Sequence, residues 1–159
     1  ADFSSAVAFV VPRTFEKDSV QSRLDRRFWL KGQMTLPKDS FVFEGAPYDV
    51  PCVFQVWTKQ ARLRPLPEKK MTTRDFAFVG KEMAEFAFQR VGAGAGGIFS
   101  QFGQRSPSSH FFIRDISGHR SVMDRLRGIS WDAIKYRTAG NPSIAKAELI
   151  REYEAQAHA

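Results

Sequence analysis

Gly92-Ala93-Gly94-Ala95-Gly96-Gly97 has the spacing of a dinucleotide-binding fingerprint, and Asp115 stands where a ribose-binding acid belongs. That chemistry needs a helix whose N-terminus faces a pyrophosphate. The segment that follows, Ile98 to Pro107, is too short and too broken to form such a helix. The glycine run therefore reads as a connecting loop, with a nest of amides for a nucleic-acid phosphate as the open alternative. His110, His119 and His158 have no Cys or His at ligand spacing, so no zinc site is expected. Cys52, inside an apolar strand, reads as a small buried hydrophobe and not as a nucleophile. Asn141-Pro142-Ser143 is a turn feeding a helix N-terminus, either a plain helix start or an anion site.

The basic residues are a second candidate. Arg13, Lys17, Arg23, Arg26, Arg27 and Lys31 cluster around a first helical segment. Lys59, Arg62, Arg64, Lys69, Lys70 and Arg74 fill a later connection. With aromatics nearby they suit phosphate contacts and base stacking, while a solvated helix face and a soluble loop account for them equally well.

These residues must be positioned by a mixture of strands and helices. Ala6 to Val11 is a continuous apolar run that predicts a strand buried on both faces, as in parallel sheets. A helix is expected next, capped by Thr14 or Asp18, with Val20, Leu24 and Phe28 on one side. Phe41 to Phe43 and Val50 to Trp57 read as two strands joined by the turn-rich insert 44–49. Further on, Phe76 to Val79, Glu85 to Val91 (alternating on Phe86, Phe88 and Arg90) and His110 to Arg114 read as strands. Ser117 to Arg127, with Val122, Met123 and Leu126 inward, and Trp131 to Tyr136 read as helices. A last helix, Ile144 to Glu154, is expected to be capped by Ser143.

A length of 159 residues, 43% hydrophobic with 15 Phe, suits a folded globule with a real core. No run of apolar residues is long enough for a transmembrane helix, and no signal peptide is evident. One cysteine excludes an internal disulfide and makes a cytoplasmic setting the expectation. A net charge of +7 favours acidic partners, nucleic acid first.

Ala8-Phe9-Val10-Val11-Pro12-Arg13-Thr14-Phe15, Ser19 to Leu24, and the block 36–57 with Pro47-Tyr48-Asp49-Val50-Pro51-Cys52 resemble a known family. They are similar to the C-terminal half of small phage- and bacterium-type S-adenosylmethionine-dependent methyltransferases, which resemble adenine-specific DNA methylases. The likeness continues through Arg90-Val91-Gly92, Ser106 to Ile113 and Gly140-Asn141-Pro142-Ser143. It implies an α/β (or α+β) fold, the last strands of a Rossmann-like sheet followed by a small mixed α+β segment. Residues 1–60 would be the sheet part, 61–75 a basic linker and 76–159 the segment packed on it. Ala6 to Val11 would be the fifth strand, and the strands of 41–57 the sixth and seventh.

The family binds its cofactor on a glycine loop after the first strand and acts through an Asn/Asp-Pro-Pro-aromatic tetrad after the fourth. This sequence has neither element, so the resemblance implies a chain that begins after the active site. No catalytic or cofactor-binding residue is then expected here, and S-adenosylmethionine belongs to the intact family only. Arg13, Lys17, Arg23, Arg26, Arg27, Asn141 and Ser143 are the nucleic-acid-binding candidates, while Gly45, Pro47, Tyr48, Asp49 and Pro51 would fix a turn. The expected partners are nucleic acid and either further copies of the chain or a missing N-terminal half that covers the exposed strand edge. The alternative is a stand-alone nucleic-acid-binding or oligomerisation module without enzymatic activity.

Overall fold

The computed structural model describes residues 3–119, 122–138 and 140–156. The chain forms two compact units, Ala1–Glu68 with Arg137–Gly140, and Lys69–Tyr136 with Asn141–Ala159. Every paired strand in either unit runs antiparallel to its neighbour, so the fold is α+β in character.

The first unit contains β1 (Ala6–Pro12), β2 (Phe28–Thr35), β3 (Phe41–Phe43), β4 (Ala46–Tyr48) and β5 (Cys52–Lys59). The main sheet has the order β1-β5-β2. As the central strand, β5 has its backbone paired on both sides and presents Val53, Gln55 and Trp57 to one buried face. Val11, Phe9 and Val7 of β1 stand directly opposite these three. A 3-10 turn, Arg13–Glu16, closes over this face, setting Phe15 edge-on to Phe9 at 6.1 Å.

The other face of the sheet is open. Val10, Phe54 and Met34 lie in one cross-strand row, with Val10 48% and Met34 58% exposed. The expectation of a strand buried on both faces of a parallel sheet is therefore corrected: β1 is an antiparallel edge strand, largely exposed. An unbroken apolar run records the capacity to be buried, not the presence of a second layer.

The helix expected over Val20, Leu24 and Phe28 is also corrected. One turn forms, α1 (Asp18–Gln21), and Phe28 instead opens β2. The Asp25 carboxylate accepts from the Arg27 amide at 2.9 Å, a local turn that competes with helix and stops it.

Phe41 to Phe43 does not hairpin with the strand at 52–59. It pairs with β4, Phe41 opposite Tyr48 and Phe43 opposite Ala46. Glu44 and Gly45 take φ values of +49° and +79°, the two positive φ values that a tight primed turn requires. Gly45 thus occupies the turn, Pro47 and Tyr48 lie in the returning strand, and Asp49 and Pro51 lead into β5. Pro51 further accepts a backbone bond from Arg13 at 3.0 Å.

The second unit contains β6 (Phe76–Phe78), β7 (Phe86–Gln89), β8 (Ile98–Phe99) and β9 (His110–Asp115), in the order β6-β9-β7-β8. Three helices follow: α2 (Val122–Arg127), α3 (Asp132–Lys135) and α4 (Lys146–Gln156). The alternation of Phe86 and Phe88 holds, since both are buried together with Phe76 and Ile113. Val122 and Leu126 of α2, Ile134 of α3 and Leu149, Ile150 and Tyr153 of α4 complete that core. The last helix starts two residues later than expected. The Ala145 amide is capped by the Glu148 carboxylate at 2.7 Å, while Ser143 forms a bridge with Val91.

Tyr153, 1% exposed, donates its hydroxyl to Asp75 Oδ2 at 2.8 Å and accepts from Arg125 Nη1 at 2.7 Å. Burial and the bond to Asp75 raise the phenol well above its usual value, outweighing Arg125. A raised folded-state value means that this stability is present below about pH 10 and is lost as pH climbs through the folded-state value. Tyr153→Phe is expected to cost about 1 kcal/mol near neutrality. It should also remove part of the alkaline destabilisation seen in urea titrations at about pH 8 and pH 11. An unchanged pH dependence in the variant would contradict that role.

Candidate functional site

Three segments that carry chemistry-bearing residues meet at the end of β7. The Arg90 amide donates to Ser109 O at 2.9 Å, and Arg90 O accepts from Ile144 N at 2.9 Å. Next to it, Gly92 N donates to Pro142 O at 2.9 Å, and Val91 bridges to Ser143. Residues 106–110 and 141–144 are thereby stitched to either side of one strand end.

Above these backbone bonds lies a patch of rings and cations. The Arg90 guanidinium carbon is 5.1 Å from the centre of the Phe111 ring. Lys146 Nζ lies 5.6 Å from the same ring and 4.7 Å from Phe78. Phe78 and Phe111 meet edge-on at 5.2 Å. Arg90 Nη1 donates to Ser108 O at 3.1 Å, and Arg90 Nε is buried without a partner among the described residues. The period-two pattern on Phe86 and Phe88 already places Arg90 on this face; Lys146 carries no such signal.

The glycine loop is built for packing. Four of its amides are used within the unit: Gly92, Ala95, Gly96 and Gly97 donate to Pro142, Gly92, Gln89 and Gly94. Gly96 takes φ +98°, and a Cβ there would stand 2.7 Å from Trp131. A strand, β8, follows instead of a helix, so no helix N-terminus faces the loop as a dinucleotide fingerprint requires. Asp115 accepts from Ser117 N at 2.8 Å and Val122 N at 3.2 Å, holding the start of α2. An open cavity of about 390 Å³ beside the loop contains Arg127 and Lys135, paired with Asp124 and Asp132 at 3.4 and 2.7 Å. No group of three or more His, Cys, Asp or Glu among the described residues could hold a metal ion. No described helix is long and apolar enough to cross a membrane.

His110 is 7% exposed, with Nδ1 3.0 Å from Ser109 Oγ and 3.2 Å from Ser106 O, and with Nε2 buried without a partner among the described residues. Burial lowers its pKa, the bond to Ser106 opposes this, and Arg105 adds to the lowering. With a depressed folded-state value, its stability is present above about pH 6.5 and is lost as pH falls through the folded-state value. His110→Gln is expected to flatten the stability profile between about pH 7 and pH 5, as read by thermal melts. Equal slopes in both proteins would contradict the assignment.

The candidates on the first unit fall within one segment, 13–27. Arg13 pairs with Glu16 at 2.7 Å and Arg27 with Asp25 at 2.6 Å. Arg26 Nε donates to Arg64 O at 2.9 Å, Lys17 heads α1, and Arg23 is exposed. Asn141, exposed, and Ser143 stand in the second unit beside Arg90. Cys52 is buried, and burial raises its thiol pKa. His158 lies outside the described residues. The chain matches no family model, no curated protein and no solved structure.

Proposed function

We propose that the chain is the C-terminal part of an S-adenosylmethionine-dependent DNA methyltransferase of the adenine-N6 type. It contributes sheet strands and nucleic-acid contacts and is not catalytic alone. The observation that carries this reading is the β1-β5-β2 sheet. Its last strand in sequence inserts between two earlier ones, antiparallel to both, which supports reading it as the terminal part of a larger sheet. The sixth strand expected at 41–43 pairs with β4 instead, so on this reading β2 takes its place and β5 keeps that of the seventh.

The outer edge of β1 has no strand partner among the described residues, and Val7 and Val10 are 38% and 48% exposed. A small cavity of about 170 Å³ lined by Val7, Phe9, Leu24, Asp25, Phe28 and Trp57 lies on one face of this sheet. Such an edge templates a further strand. A preceding strand of the catalytic half fits it, with a second copy of the chain as the other occupant.

Sequencing the reading frame on the 5′ side of the Ala1 codon tests the proposal. A continuous frame encoding a glycine loop and an Asn/Asp-Pro-Pro-aromatic tetrad is expected. An upstream stop codon, together with a strictly monomeric chain in sedimentation runs, would overturn it.

A further inference from the structure

We infer that Arg90 and Lys146 form a phosphodiester-binding site on the second unit, the place where this part of the protein grips a nucleic-acid backbone. The inference deepens the nucleic-acid part of the reading above and rests on it. Two cations from elements 56 positions apart in sequence (90 and 146) are held against one Phe111 ring, at 5.1 and 5.6 Å from its centre. Neither has a carboxylate partner among the described residues, whereas Lys70, Arg125, Arg127, Lys135 and Arg151 of the same unit do. A carboxylate would quench the site, and none of the described residues supplies one.

The guanidinium is also unsaturated. Among the described residues one of its five donors has a partner, the Ser108 carbonyl at 3.1 Å, and, with Nε buried, the terminal nitrogens carry the donors left for a ligand. Lys146 Nζ has no hydrogen-bond or ion-pair partner among the described residues and lies over the faces of Phe78 and Phe111, which leaves its ammonium donors for a ligand. The aromatic rings hold both side chains in place, so less rotamer freedom is lost when an anion arrives. The backbone bonds from Arg90 to Ser109 and Ile144 fix the end of β7, which carries Arg90, beside the segment that leads into α4, which carries Lys146.

A phosphodiester suits this arrangement better than a carboxylate peptide. Its two free oxygens can accept from both a guanidinium fork and an ammonium, and the adjacent sugar or base can meet half-buried rings. Contacts of this kind position a nucleic acid without reading its sequence.

The test is fluorescence anisotropy of the full chain with a labelled DNA duplex of about 20 base pairs, between about 50 and 200 mM NaCl. Lys146→Gln and Arg90→Gln are each expected to weaken binding about three- to tenfold at the lower salt and to reduce the salt slope by about one. Lys146→Arg and Arg90→Lys, which keep the charge, should retain the slope. Lys38→Gln, on the first unit, should leave binding by this site unchanged. Wild-type slopes in both glutamine variants would overturn the inference while leaving nucleic-acid binding by the chain intact. Poly-glutamate competing as well as DNA would overturn the choice of ligand. Absence of salt-sensitive binding by the wild type would overturn both this inference and the nucleic-acid part of the wider reading.

Discussion

Phe88→Ala is expected to lower the stability of the second unit by about 3–5 kcal/mol, the largest single effect in the molecule. Phe88 is fully buried, meets Trp131 edge-on at 5.0 Å and stacks on Phe111 at 6.5 Å. Truncation removes the transfer free energy of a phenyl ring and leaves a cavity between β7 and α3 that the rigid sheet cannot close. A domain's whole stability is of the order of 5–15 kcal/mol, so a loss of this size leaves the unit marginal. The measurement is urea unfolding followed by tryptophan fluorescence, since Trp131 reports on this core. A midpoint within experimental error of the wild type would show that Phe88 does not organise it. Phe88→Leu, which keeps most of the volume, should cost considerably less.

Arg64→Ala is expected to cost the first unit about 3 kcal/mol, an unusual effect for a charged side chain. Arg64 is only 9% exposed and stands 5.5 Å over the Trp57 ring. Its Nε donates to Phe28 O at 3.1 Å and Nη2 to Gln21 O at 2.8 Å. The guanidinium thus ties the end of α1 to the start of β2, where the chain leaves helical geometry. Alanine would leave both carbonyls without that donor and uncover Trp57. Lysine is a sharper comparison, because it keeps the charge but not the planar fork that reaches two carbonyls. Arg64→Lys should therefore recover only part of the loss, as read by thermal melts monitored on Trp57. Full recovery would show that charge alone, and not the fork, is what the site needs.

Arg64 also shows how far the residue types alone reach. In sequence it belongs to a basic connection and carries the same weight as its neighbours as a phosphate contact. Only the fold turns it inward onto Trp57. Arg13, Arg26 and Arg27 likewise make bonds within the first unit, to Glu16, the Arg64 carbonyl and Asp25. Arg90 and Lys146 took the opposite path: each looks ordinary in sequence, and the strand end brings them to the same ring. Local composition reports which charges exist, whereas tertiary contacts decide which are already neutralised.

Much of the second unit was legible. Strands at 76–78, 86–89 and 110–115 and helices at 122–127 and 132–135 follow alternation and apolar spacing that the core uses directly, although the first of these helices is expected from Ser117 and residues 117–119 form a bend. Those periodicities are local, and the large apolar side chains that express them point into one core. The broken segment after the glycines likewise excluded a nucleotide helix before any fold was known, and β8 occupies that place.

The first unit was decided by tertiary structure. An apolar run at 6–11 fits a central parallel strand and an exposed edge strand equally well, because both require the same residues. Its antiparallel pairing with β5, and the absence of a described neighbour on its other side, are long-range facts. Val20, Leu24 and Phe28 have helical spacing, yet the Asp25 turn and the pairing of Phe28 with Lys59 override it. Sequence by itself therefore determined the types of most elements. Tertiary structure decided strand order, which face stays open, and which two cations stand unpaired over one ring, because each depends on residues that meet only when distant segments pair.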